Sequence, residues 1–191
     1  MRFFLLLMVL ILISFNHAHP ILSENGEIDG VNYEFNQVDS CYSFRGSFVL
    51  QAELDCLISI LYDFKHLPNV LLDAKSIILI QQGENWYDAG YTFKKFFLTN
   101  ESVYRKTLKL KEQKIFFEML SNKQNTNLLP EVLSSSGYYQ IKDESTGYAI
   151  EYFQEGKMGS SLLQKIYIDM AKKESVKFML ELKKYIERSC H

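Results

Sequence analysis

From Ala74 to Phe153 the chain shows no helical period outside the ambiguous segment 123–133, and one long run at helical spacing follows. Within that stretch, runs rich in β-branched and aromatic residues alternate with turn residues, the pattern of consecutive strands. The runs are 75–82, rich in Ile; 86–98, with Tyr91, Phe93, Phe96 and Phe97; 102–110; 114–121, with Ile115, Phe117 and Met119 on one side; 136–142; and 148–154. Gly83-Glu84-Asn85, Thr99-Asn100, Lys111 to Gln113 and Asp143 to Gly147 supply turns. Residues 122–135 read as a polar loop around Leu128-Leu129-Pro130. Strands joined by links this short pair antiparallel, and such a sheet needs a cover for its apolar face.

The flanking segments supply one more strand and the cover. In 42–50, Tyr42, Phe44, Phe48 and Leu50 share one side, while Ser43, Arg45, Ser47 and Gln51 share the other; period two predicts a half-buried strand. The period then changes: Leu54, Leu57, Ile58 and Leu61 predict a helix over 53–62, and a second short helix spans 64–72, interrupted by Pro68. Ser160 or Ser161 can cap a final helix running to about Arg188. Its later stripe is Phe178, Met179, Leu182, Tyr185 and Ile186. Its earlier one is Leu162, Leu163, Ile166, Tyr167 and Met170, at a different azimuth. Residues 19–37 are polar, contain Gly26 and Gly30, and read as a flexible lead-in to a domain over 38–191. The expectation is an α+β fold: a curved antiparallel sheet of about seven strands covered on one face by a long C-terminal helix.

At the N-terminus, Arg2 precedes an unbroken apolar run from Phe3 to Ile13, and Ser14 to Ala18 turns polar. That layout is a secretory signal peptide over 1–18, too short an apolar run to span a bilayer as a helix. Secretion or a periplasmic location, hence an oxidising compartment, is the expectation. Three cysteines follow, Cys41, Cys56 and Cys190; Cys190 can pair with Cys56 or with Cys41. Asn100-Glu101-Ser102 is an acceptor sequon, meaningful if a eukaryote secretes the chain. A hydrophobic share of 47% against 23% charged over the whole sequence places the chain among globular proteins. The formal charge is −2. Lys106, Lys109, Lys111 and Lys114 suit a solvated strand face and its turn, and no dense basic stripe argues for nucleic acid.

Little in the chain suggests catalysis. His66 is the one histidine inside the domain, next to Lys65 in a helix–helix corner, where a solvated role is expected. No spacing fits a metal site and no Gly-rich loop offers a phosphate cradle, so neither metal nor cofactor is expected. Glu118 and Glu151 lie inside apolar strands. Facing inward, either could anchor a polar head or act as a general base; alternation places both on the outer side.

Four segments carry a resemblance. The stretch 52–68, AELDCLISILYDFKHLP, looks like the first-helix signature of the START-like, helix-grip (SRPBCC) superfamily. The segment 115–121, IFFEMLS, is similar to that family's central strand. Residues 137–141 and 147–152 look like its last hairpin, and 178–187, FMLELKKYIE, like its final helix. A proline common at the start of the first helix is replaced by Glu53 and Leu54. The superfamily includes polyketide cyclases, plant pathogenesis-related proteins, lipid-transfer START domains and coenzyme Q-binding proteins. The resemblance implies a sheet gripping the last helix around an apolar cavity. Tyr91, Phe93, Phe117, Met119, Tyr139, Tyr152, Met170 and Phe178 are the candidate ligand-binding residues, with plain packing as the competing role. It implies a carrier or sensor of a lipid, isoprenoid or quinone-like molecule, which can touch a membrane transiently. The alternatives are a cyclase-type enzyme using a cavity carboxylate or tyrosine, and a protein-interaction module with a closed core.

Overall fold

The computed structural model describes residues 22–95, 98–125, 130–160 and 164–190. The expected leader, together with Phe96, Phe97, Leu128, Leu129 and Ser161 to Leu163, lies outside them. Three strands open the described chain: β1 (Leu22–Ile28), β2 (Val31–Val38) and β3 (Cys41–Leu50). Helix α1 (Leu54–Tyr62), a 3-10 turn (Phe64–His66) and helix α2 (Leu67–Val70) follow. Then come β4 (Ala74–Gln82), β5 (Trp86–Lys95), β6 (Leu98–Lys109), a second 3-10 turn (Leu110–Glu112), β7 (Lys114–Gln124), β8 (Val132–Glu144), β9 (Gly147–Met158) and the long helix α3 (Gln164–Ser189).

The nine strands of the described residues form one sheet in the order β1-β2-β3-β9-β8-β7-β6-β5-β4, and each neighbouring pair is antiparallel. The step β3 beside β9 brings the third strand against the last. Irregularities in the β4–β5, β6–β7 and β8–β9 ladders bend the sheet, as bulges do.

The strand count is nine rather than seven because residues 22–38 are a hairpin, not a loose lead-in. Ile28 pairs with Val31 across the two-residue turn Asp29-Gly30, and both turn residues have positive φ, 50° and 73°. A turn of that kind matches the strand twist and favours Asp-Gly. Val31 and Phe35 of β2 are fully buried in the main core. The turn also accepts a hydrogen bond from Lys183 Nζ of α3 to the Asp29 carbonyl, at 2.7 Å. Two further boundaries move: Thr99 and Asn100 belong to β6, paired with Lys94 and Phe93, and β7 and β8 extend into both ends of the supposed loop 122–135.

Alternation decides what each strand buries. Tyr42, Phe44, Phe48 and Leu50 of β3 all point into the core, where α3 lays Met179, Leu182 and Ile186 over β3 and β2. Ile168 is the buried anchor of the helix's first half, whereas Ile166 and Met170 face solvent. A smaller cluster of Leu67, Tyr87, Ala89 and Tyr91 lies under α2 and the first 3-10 turn. Tyr62 and Tyr104 touch both clusters.

Candidate ligand-binding site

The expected lining residues divide into three groups. Phe117, Tyr139, Tyr152 and Phe178 meet in one aromatic group where α3 crosses the inner face. Ring centroids are 5.1 Å apart for Tyr139–Tyr152, 5.2 Å for Tyr152–Phe178 and 5.6 Å for Phe117–Tyr152. Tyr91 and Phe93 stack at 6.4 Å in the smaller cluster, with Tyr104 edge-on to Tyr91, and Met119 is half-buried opposite Tyr104. Met170 does not belong to the group: it is 38% exposed. Its azimuth on α3 differs from that of Ile168, and that rotation carries it out of the interior.

Between the two clusters lie polar side chains that the residue pattern did not single out. Lys106 is only 6% exposed. Tyr104, Lys106 and Leu108 share a parity on β6, and the aromatic and the leucine fix that parity inward. Lysine spacing alone placed Lys106 on a solvated face, and its position corrects that reading. Its Nζ donates to the Leu61 carbonyl of α1 at 2.9 Å and stands 5.2 Å from the Tyr139 ring centroid. Burial pushes the ammonium down to about 7. Tyr87 of β5 stands directly opposite Lys106. It is 4% exposed, and its hydroxyl has no hydrogen-bond partner. Burial raises the hydroxyls of Tyr87, Tyr91, Tyr139 and Tyr152 far above the usual phenol range, so these groups stay protonated, able to donate a hydrogen bond and not to abstract a proton.

A second polar chain on the inner face is satisfied. The Tyr152 hydroxyl donates to Gln154 Oε1 at 2.8 Å, and Gln154 Nε2 donates to Ser135 Oγ at 3.0 Å. Ser135 in turn shares a hydrogen bond with Tyr104. The contrast leaves Tyr87 as the buried polar side chain without a partner among the described residues.

The carboxylates face away from this interior. Glu118 is exposed, across from Arg105. Glu151 accepts from Arg45 at 2.7 Å, Tyr138 at 2.8 Å and Lys142 at 2.9 Å on the outer face. Burial raises its pKa, but those three partners outweigh burial and hold it below the usual range. Asp88 likewise points outward, fixed by two bonds from Arg105 and one from Gln81. A cyclase mechanism using Glu118 or Glu151 as the interior base therefore has no group to use.

Three other sequence expectations meet the structure here. His66 is half-buried rather than solvated. Its Nε2 lies 3.3 Å from Ser59 Oγ and its Nδ1 2.8 Å from the Tyr185 hydroxyl of α3. Ser59 spends its proton on Asp63 at 2.6 Å. The ring therefore carries hydrogen on Nε2 and accepts from Tyr185, consistent with a pKa lowered by burial. In the sequon, Asn100 donates to Asn122 Oδ1 at 2.8 Å across the β6–β7 ladder and Ser102 is buried, so the site is a paired strand and not a surface loop. Cys56 of α1 and Cys190 form a disulfide, while Cys41 is exposed.

No family model and no curated protein matches the sequence. Solved structures match the fold. The STAR-related lipid transfer protein from Xanthomonas axonopodis aligns with a TM-score of 0.67 at 14% identity, covering 86% of this chain and 98% of that one. Human StAR-related lipid transfer protein 5 gives 0.66 at 11% identity, covering 95% and 93%. The Zhui aromatase/cyclase from Streptomyces sp. R1128 gives 0.65 at 10% identity, covering 78% and 94%.

Proposed function

We propose, proceeding from the START-like helix-grip fold that this chain has, that it binds an apolar small molecule between the sheet and α3 and acts as its carrier or sensor. One observation carries the reading: an unpartnered Tyr87 hydroxyl and a buried Lys106 with a single hydrogen bond, to the Leu61 carbonyl, belong to directly opposed residues of β5 and β6 in an apolar interior. A buried polar group without a partner costs about 1–3 kcal/mol, which a bound molecule repays. The names of two similar structures, lipid transfer proteins, support the same class of ligand. The seam between the two apolar clusters, bordered by Tyr91, Tyr104, Lys106, Phe117 and Tyr139, is the proposed place of binding. The test is uptake of N-phenyl-1-naphthylamine, a neutral apolar fluorophore, by delipidated protein. Saturable fluorescence enhancement, displaced by an unlabelled lipid or quinone, is the expected result. No uptake by folded protein overturns the proposal.

The apolar run 3–13 behind Arg2 supports export, and the Cys56–Cys190 bridge suits an oxidising compartment. We read 1–18 as a leader removed on secretion; the mass of the mature N-terminus measured after expression through a secretory route tests it.

A further inference from the structure

Lys106 and Tyr87 hold donors that the interior leaves unanswered. The ammonium of lysine has three hydrogens to give, and one goes to Leu61. The Tyr87 hydroxyl gives none. The two residues are a directly opposed cross-strand pair on the inner face, with Cβ atoms about 5 Å apart by strand geometry. The groups packed round Lys106 supply no charge to answer it: Tyr87 on β5, Phe117 opposite on β7, Tyr139 on β8 and the Leu61 carbonyl on α1. Asp63, at the end of α1, is the nearest acid along that element, and it is held by Ser59 at 2.6 Å and Lys65 at 3.4 Å. Asp88, Glu118 and Glu151 lie on the outer face, Asp88 and Glu151 with their own partners and Glu118 exposed across from Arg105. A lysine buried without a counter-ion is costly to keep, and the missing complement is one negative charge with at least two acceptor oxygens.

We infer that the ligand is an apolar acid whose carboxylate is received by Lys106 Nζ and the Tyr87 hydroxyl, an inference that rests on the carrier reading above. One ammonium and one hydroxyl match a single carboxylate. A phospholipid headgroup, larger and bearing polar substituents beyond its phosphate, does not fit a pair buried this deeply. The apolar tail of the acid runs along the inner aromatics. When the amine is neutral, binding is completed by a proton: carboxylate, amine and one proton from solution give carboxylate and ammonium, so uptake of the acid above neutrality consumes protons.

The experiment compares hexadecanoate with methyl hexadecanoate in displacing N-phenyl-1-naphthylamine from the wild-type protein, Lys106→Met and Tyr87→Phe. The ester keeps the tail and removes the charge. Wild type is expected to prefer the acid by about tenfold or more, the worth of a charge-assisted hydrogen bond. Lys106→Met should erase that preference, the acid losing at least tenfold more affinity than the ester. Tyr87→Phe should weaken acid binding alone. Calorimetry of wild type in buffers of different ionisation enthalpy should show proton uptake with the acid and none with the ester. Equal binding of acid and ester by wild type, or a preference that survives Lys106→Met, overturns the inference while leaving the carrier reading standing. Binding of neither fluorophore, acid nor ester overturns both. Lys106→Met replaces a buried charge by an apolar chain of similar length, so it should fold, and its thermal midpoint shows that it has.

Discussion

An ammonium taken out of water with no carboxylate beside it weakens the folded state, and the penalty depends on pH. For Lys106 the folded pKa, about 7, lies below the ordinary lysine value of 10.5. Between those values the unfolded chain binds more protons than the folded one, so stability rises with pH. The burden is full below the folded pKa, where both states are charged, and disappears above the unfolded one. The stability difference between Lys106→Met and wild type is therefore expected to be largest below neutral pH and to fall as pH rises above it. It should shrink by at most about 1.4 kcal/mol per pH unit as the amine titrates. Denaturant titrations of both proteins across the alkaline range check it; a difference independent of pH contradicts the burial of a titrating amine. His66 shows the other way to bury such a group: with Ser59 and Tyr185 on its two nitrogens, it stays neutral and joins the corner after α1 to α3.

At the scale of elements, close approach and tethering matter most. Gly137 of β8 faces inward, where a Cβ would meet the Phe153 carbonyl and the Phe117 ring. Backbone cannot yield as a side chain can, so Gly137→Ala should destabilise by about 1–3 kcal/mol, as overpacking does, and also disturb the Phe117–Tyr152 contact. Urea denaturation measures the first effect and near-ultraviolet circular dichroism the second. The disulfide ties the end of α3 to α1 across a sequence separation of 134. Replacing Cys56 and Cys190 by Ser together should cost about 2–5 kcal/mol, read from the denaturation midpoint under oxidising conditions. Element types were well marked in the sequence: β3, the paired short helices, six strands and α3 all follow from period and turn residues. The missed hairpin carried a signal as well, Asp29-Gly30 between Ile28 and Val31, but its strands are polar on one side and β1 buries no side chain fully, so apolar period gave little to read.

For the whole molecule, the hairpin β1–β2 is a structural wing and not an appendage. Val31 and Phe35 are completely buried against the core, and Glu24 of β1 meets Lys172 of α3 at 2.6 Å. Deleting residues 19–38 should therefore lower stability by several kcal/mol, at about 1.5–3 kcal/mol for each large apolar side chain lost from the core. Trimming a loose tail would leave the midpoint unchanged. Thermal denaturation of the shortened chain distinguishes the two outcomes. The same architecture leaves the opposite edge, β4, with Ile78, Leu79 and Ile80 exposed.

The order of elements, the parity of β3 and the apolar face of α3 were written in local pattern, because period and turn chemistry act over a few residues. For β7, β8 and β9 alternation left the inward face open, and the structure turns Phe117, Tyr139 and Tyr152 inward. Tertiary structure alone decided that Lys106 is buried opposite Tyr87, that Met170 faces out, that Cys56 rather than Cys41 meets Cys190, and that β1–β2 closes onto α3. Each of these depends on which distant segments come together. Burial is set by the neighbour across the ladder or across the helix, and one chain's spacing carries no record of that neighbour.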